Sequence, residues 1–313
     1  MLDTLFGIIL FSNLNLTSGN ISGPTEIPEK LNTQEHFSKL QEFGYNEGSN
    51  LEKSLFLLIE SDDGGRSTLK IQEKTDPHPY AASTNESSIY LKLFTSSNKG
   101  KSVRGLYLIN AAMKWMDQEN ILLPMTIDFD EPKNKEMIEN LLSIGFKKSH
   151  VHMDKSLTTN GNIDEPNIRK ANIFDLFDIV SLFIETSKWH QKIHNEVYWG
   201  SRFPVYKRYL QILRAMLLQD IILVSEGEKN LNGFCWGKIL TEGAEIEEIF
   251  VREGSRSSGI GKSLLLNFEE LVKRSGTHRV FFSVSGNNPK AISFYETNGY
   301  STSSISLYKP LNK

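Results

Sequence analysis

The chain has 313 residues, 39% of them hydrophobic and 23% charged, with a formal net charge of −3. That length holds about two domains of ~150 residues, and the balance is that of a globular chain without the basic field that nucleic-acid binding needs. The single cysteine, Cys235, excludes an intramolecular disulfide and cysteine-rich metal sites and fits a reducing cytoplasm.

The apolar run over 5–11 has the look of a signal-peptide core, but Asp3 and the lack of basic residues ahead of it argue otherwise. It reads as a buried strand or helix of the first domain, and nothing in the chain reaches the ~18 consecutive apolar residues of a membrane span. Strands are expected over 55–59 and 89–94, a helix from Leu106, a strand over 123–127, and a helix that stops at Gly145-Phe146. From Asp154 to Asn167 the chain is polar and turn-forming with little to bury, which marks a linker. The expected domains are therefore 1–155 and 168–313, joined by 156–167.

Beyond the linker Asn172 can cap a helix whose residues Leu176, Ile179, Val180 and Phe183 fall at helical spacing. Helical residues run on through Leu218, followed by a strand over 221–225, a turn over 228–232, and strands over 234–240 and 244–251. After a loop and a helix comes the β-rich run 279–284, then a helix that Asn288 can cap, Pro289 can open and Gly299 can stop in a left-handed conformation.

The loop carries the chemistry. The strand Ile249-Phe250-Val251 leads into Arg256-Ser257-Ser258-Gly259-Ile260-Gly261, and helix-forming residues start at Lys262-Ser263-Leu264-Leu265. At such a junction several unpaired amides converge, the helix dipole adds positive potential, and glycines let an anion approach the backbone. A Walker A loop would need glycine where Arg256 stands, and a Rossmann fingerprint would need a small residue where Leu264 stands. What remains, Arg-x-x-Gly-x-Gly after a strand, resembles the acetyl-CoA loop of the GCN5-related N-acetyltransferases. The later stretch Asn288 to Tyr300, with Ala291, Phe294, Tyr295 and Gly299 in place, is similar to the same family's Asn-x-x-Ala-x-x-Phe-Tyr-x-x-x-Gly-Phe signature. The resemblance implies an α/β (α+β) fold of two tandem domains, each a mixed, mainly antiparallel twisted sheet flanked by helices.

Sliding one half over the other pairs Gly105 with Gly261 and Gly145 with Gly299 at nearly the same separation, which suggests duplication. Leu106, Ile109, Met113 and Met116 keep the apolar stripe of the helix. The chemistry is not kept: Arg256 falls opposite Gly100, Gly259 opposite Val103, Glu247 opposite Leu91, and Tyr295 opposite Leu141. The first half reads as a degenerate copy with a structural or substrate-shaping role.

The resemblance further implies acetyl-CoA as donor and direct transfer to a primary amine or peptide N-terminus in a ternary complex. It makes Tyr295 the general acid and Glu247 the general base, with Ile249, Phe250 and Val251 offering main-chain groups to the pantetheine arm. The diphosphate would rest on Arg256, Ser257, Ser258, Gly259, Ile260, Gly261, Lys262 and Ser263, with Asn288, Lys290, Ala291 and Phe294 nearby. Strand alternation sets Glu245 and Glu247 on one face and Glu248 on the other. Trp189, His190, Tyr198 and Trp236 are candidates for the acceptor pocket. His190 and His194 stand four apart but lack a third ligand, so no metal is expected. The protein is expected in the cytoplasm, away from membranes and nucleic acid, with a homodimer possible. Two rivals stand beside this reading: a non-catalytic acyl-CoA-binding regulator, and a P-loop nucleotide hydrolase built on Gly261-Lys262-Ser263.

Overall fold

The computed structural model describes residues 7–14, 30–31, 54–61, 65–74, 88–95, 101–121, 123–130, 134–157, 167–194, 205–228 and 230–310. In chain order the elements are β1 (Gly7–Leu14), β2 (Lys30–Leu31), β3 (Ser54–Ser61), β4 (Arg66–Lys74), β5 (Ser88–Thr95), α1 (Lys101–Gln118), β6 (Met125–Asp130), α2 (Lys135–Ser143) and β7 (Lys147–Ser156). There follow β8 (Ile168–Lys170), a 3₁₀ turn (Ile173–Asp175), α3 (Leu176–His194), α4 (Val205–Leu217), β9 (Ile221–Ser225), β10 (Gly233–Leu240) and β11 (Gly243–Val251). The chain ends with a second 3₁₀ turn (Glu253–Ser255), α5 (Ile260–Arg274), β12 (Arg279–Ser285), α6 (Pro289–Thr297) and β13 (Ser301–Lys309).

These elements form two compact units. One holds the described parts of Met1–Asp76, Asn85–His150 and Ser304–Lys313, and the other the described parts of Val151–Ser303. Both are mixed, mainly antiparallel sheets flanked by helices. In the first, the strands run β2-β1-β3-β4-β5-β6, with 304–309 of β13 antiparallel to β6. The segment left open between strand and helix is the strand β1, which runs parallel to β3. Leu55 to Ile59 of β3 are all buried, which explains a continuous apolar run in place of alternation. Parallel pairing of β5 with β6 requires a crossover, and α1 supplies it. Gly105 sits in α1 where a β-carbon would meet Leu93 of β5 and Met137 of α2, so glycine is needed for close packing.

The second unit orders its strands β8-β9-β10-β11-β12, followed by 151–156 of β7. β8 to β11 are antiparallel neighbours, and β12 returns parallel to β11 through α5. Arg279 of β12 donates from Nε to Asp154 of β7 at 3.0 Å. One face of the sheet packs Phe234, Trp236 and Phe250 against Ile179, Val180 and Phe183 of α3 and Ile212 of α4. Complete burial of Phe234 alone stabilises by about 1.5–3 kcal/mol. Asn172 caps as expected: its side chain accepts from Phe174 N at 2.9 Å while Asp175 accepts from Asn172 N at 2.7 Å. Arg169 clamps that Asp175, which holds its carboxyl below the usual range.

The structure departs from the sequence expectation in several places, and the described part of Ser304–Lys313 groups with the first unit although 168–313 was expected as one domain. α1 begins at Lys101, ahead of Leu106. The turn-rich stretch from Asp154 is strand as far as Ser156, because Val151 and Met153 alternate with polar residues and bury one face of β7. Among the described residues no helix is long and apolar enough to cross a membrane, and no group of His, Cys, Asp and Glu could hold a metal.

Candidate active site

Strand β11 is paired on one side along its length and on the other only at its start. Against β12 the parallel register holds Ala244 to Val280 and Glu245 to Phe281 and stops there. The backbone from Ile246 to Val251 therefore faces an opening on the β12 side, and the loop before α5 closes one end of it.

That loop is built around two left-handed residues, Ser257 at φ 64° and Gly259 at φ 90°. Gly259 is the N-cap of α5. Ser263 is the first residue whose amide enters the helical ladder, bonding Gly259 O at 3.0 Å, so the amides of Ile260, Gly261 and Lys262 precede it without helical acceptors. Nothing lies within 4 Å of a β-carbon built on Gly259, so glycine is required there by the backbone angle alone. On Gly261 a β-carbon would meet Phe294 and Val251 at 3.7 Å, an ordinary contact. Arg252, just past β11, buries an Nε that has no acceptor. Successive amides without helical acceptors at a helix start fit a diphosphate.

Arg256 turns its side chain away from the loop amides. Its Nε donates to Val251 O at 3.0 Å, and its guanidinium lies over the rings of Trp189 and Phe250 at 5.1 and 5.5 Å. Trp189 is thus engaged as a lid over Arg256, and one turn earlier Glu185 pairs with Arg252 at 3.2 Å. Asn288 acts as a helix cap, its Oδ1 accepting from Ala291 N at 3.1 Å. Lys290 is exposed on the first turn of α6. The side chain of His190 and all of Tyr198 lie outside the described residues.

The carboxylates are arranged by a bulge. Along β10, Trp236 faces Glu248 and Gly237 faces Ile246, which leaves Glu247 as the extra residue. Strand alternation therefore breaks at the point where the sequence reading relied on it. Glu245 lies opposite Lys238 and Glu248 opposite Trp236, and Lys238 and Trp236 share one face of β10. Lys238 bonds Glu247 as well as Glu245, so all three glutamates serve the same face. The inside signal for this was Gly237, where a β-carbon would strike Glu245 O at 2.4 Å; a lone glycine within a strand often marks a bulge.

Glu248 sits beside Trp236, whose Nε1 donates to Asp220 at 2.9 Å. Burial pushes the Glu248 carboxyl up to about 8, with Arg208 opposing the rise and Glu247 adding to it. Tyr295 of α6 is packed against Phe282 and Tyr300, with ring centres at 4.2 and 5.9 Å. Burial raises its phenol well above the ordinary range, and the charges of Cys235 and Glu248 add to that. The carboxyl stands on β11 and the phenol on the helix after β12. Cys235 is fully buried, and burial pushes its thiol up, which makes it inert.

Residues 188–300 match the family model described as "Acetyltransferase (GNAT) family". A spermidine N(1)-acetyltransferase of Thermoplasma acidophilum is 30% identical over 139 residues, which cover 42% of this chain and 86% of that relative. The chain belongs to the GNAT family of acetyltransferases. Among solved structures, a GCN5-related N-acetyltransferase from Sphaerobacter thermophilus aligns with 87% of this chain and 84% of its own, at TM-score 0.51 and 15% identity, and shares the fold. The PaiA N-acetyltransferase of T. acidophilum, in complex with coenzyme A, is 26% identical over 46% of this chain and 97% of its own, at TM-score 0.38.

Proposed function

We propose that the second unit transfers an acetyl group from acetyl-CoA to a primary amine by direct attack. The observation that carries this reading is the opening along β11, bounded by the amide loop and flanked by Glu248 and Tyr295. Acetyl-CoA supplies an activated thioester. The amides of Ile260, Gly261 and Lys262 hold its diphosphate, and main-chain groups of Ile249 to Val251 orient the arm and polarise the carbonyl.

Glu248 takes a proton from the amine as the new C–N bond forms, and Tyr295 gives one to the sulfur as the C–S bond breaks. Glu247 is already engaged by Lys238, so we place the base one residue further on. A carboxyl titrating near pH 8 suits a base that works around neutrality. The phenol stays protonated, so a proton is present there to be given. The relative's name makes spermidine the first acceptor to assay. Thiol release from acetyl-CoA with a panel of amines tests the reading; coenzyme A binding with no release across the panel leaves the non-catalytic acyl-CoA binder standing. Tyr295→Phe is expected to lower kcat by ~10- to 100-fold while coenzyme A affinity stays within about twofold. Equal kinetics would remove Tyr295 from the mechanism.

We also propose that the first unit is a degenerate copy. Supporting this, Gly105 packs between β5 and α2 where Gly261 packs between β11 and α6. Gly145 and Gly299 are both left-handed, at φ 96° and 86°, after the corresponding helices. Lys309 lies over Phe146 at 5.6 Å and Lys155 over Tyr300 at 5.3 Å, the same pattern repeated. Unlike Ser257 and Gly259, which are left-handed, the described residues opposite them, 101 and 103, are already helical in α1.

A further inference from the structure

We propose that Lys238 determines acceptor specificity and restricts the site to amines that carry a single positive charge. This rests on the acetyl-transfer reading and narrows it. The bulge in β11 turns Glu245, Glu247 and Glu248 to one face. Left alone, such a face would favour a polycation, with one nitrogen at Glu248 and a second at the neighbouring carboxylates. Lys238 occupies that second position. Its Nζ bonds Glu247 and stands 3.1 Å from Glu245.

Burial, the largest influence on this ammonium, pulls it down, but the bonds to Glu247 and Glu245 hold it above the ordinary lysine value. It therefore stays charged wherever the enzyme works. Glu247 is close enough to Glu248 to act on its titration, so the Lys238 cluster adjoins the base. The cation that acts on Glu248 itself is Arg208, from α4. Amino groups separated by three or four methylenes stand roughly 5–6 Å apart, the scale of neighbouring side chains on a sheet. A diamine whose first nitrogen reached Glu248 would bring its second against Lys238, and would meet like charge or have to displace an ammonium from two carboxylates. A monoamine makes neither demand.

The test compares kcat/KM for butylamine and spermidine in the wild type, Lys238→Met and Lys238→Arg. Methionine keeps the unbranched stem and removes the charge; arginine keeps the charge. The spermidine-to-butylamine ratio is expected to rise roughly five- to tenfold in Lys238→Met and to stay within about twofold of wild type in Lys238→Arg. An unmoved ratio in Lys238→Met, or a wild type that already prefers spermidine by about tenfold, overturns the assignment. Calorimetric titration of both amines into protein saturated with coenzyme A reads the same preference without turnover. Tighter spermidine binding in Lys238→Met without acetylation of either amine would sink the transfer reading and keep the role of Lys238. Turnover with an unchanged preference would do the reverse, and no binding of either amine to any of the three proteins would overturn both.

Discussion

Replacing Glu248 with glutamine is expected to lower kcat/KM for an amine by ~10²- to 10⁴-fold, the range for loss of a positioned general base. In the wild type, kcat/KM should rise with pH and level off above about 8, where the carboxyl is ionised. That limb should vanish in Glu248→Gln. The same change separates chemistry from stability. The folded-state carboxyl titrates at about 8 against an ordinary 4.5. Between those values the folded protein binds more protons than the unfolded chain, so this group's contribution falls as pH rises through that window and is lost above about 8. Glu248→Gln should therefore match wild-type thermal stability below pH 4.5 and exceed it increasingly up to pH 8. A variant that is both slower and more stable at pH 8 is the signature of a base whose ionisation the fold opposes. A slower variant that is also less stable at pH 8 would mean that the carboxylate holds the fold, and the assignment would fail. Glu247→Gln serves as the comparison, because it should disturb the Lys238 pair without abolishing the pH limb.

What could be read in the sequence was local. Gly299 was legible as a left-handed stop, Asn288 as a cap and the Arg-x-x-Gly-x-Gly stretch as a loop running into a helix start, because each depends on residues within one turn of chain. The proposed base was harder to read. Deciding between Glu247 and Glu248 needs the register of β10 against β11, and a bulge of one residue exchanges the faces. Gly237 hinted at it, but the hint lies on the partner strand. Lys238 had no signal at all, since its two carboxylates come to it only across that pairing. β7 escaped for a similar reason: Val151 and Met153 alternate correctly, yet the strand ends in a stretch whose polarity resembles a linker. In the first half the spacing of Gly105 and Gly145 was visible, whereas the early start of α1 at Lys101 was not.

Gly259→Val is expected to weaken coenzyme A binding by about tenfold or more while the fold persists. The reason is conformational. With φ at 90° and nothing within 4 Å of its β-carbon, Gly259 meets no steric obstacle from its neighbours but holds a backbone angle that a β-branched residue strongly disfavours. The left-handed state costs an L-residue about 1–2 kcal/mol, so the loop will shift to relieve it, and the amides of Ile260, Gly261 and Lys262 will no longer converge. α5 itself stays anchored by Leu264, Leu265, Phe268 and Val272. Gly276, at the far end of the same helix, offers a matched control: φ 83° and no atom within 4 Å of a β-carbon. Gly276→Val should lower the melting temperature about as much as Gly259→Val and leave coenzyme A affinity alone. Gly261→Ala, where the new methyl makes only ordinary contacts with Phe294 and Val251, should cost little stability. If Gly259→Val and Gly276→Val bind coenzyme A equally well, the diphosphate does not rest on this loop, and the placement of the donor along β11 goes with it.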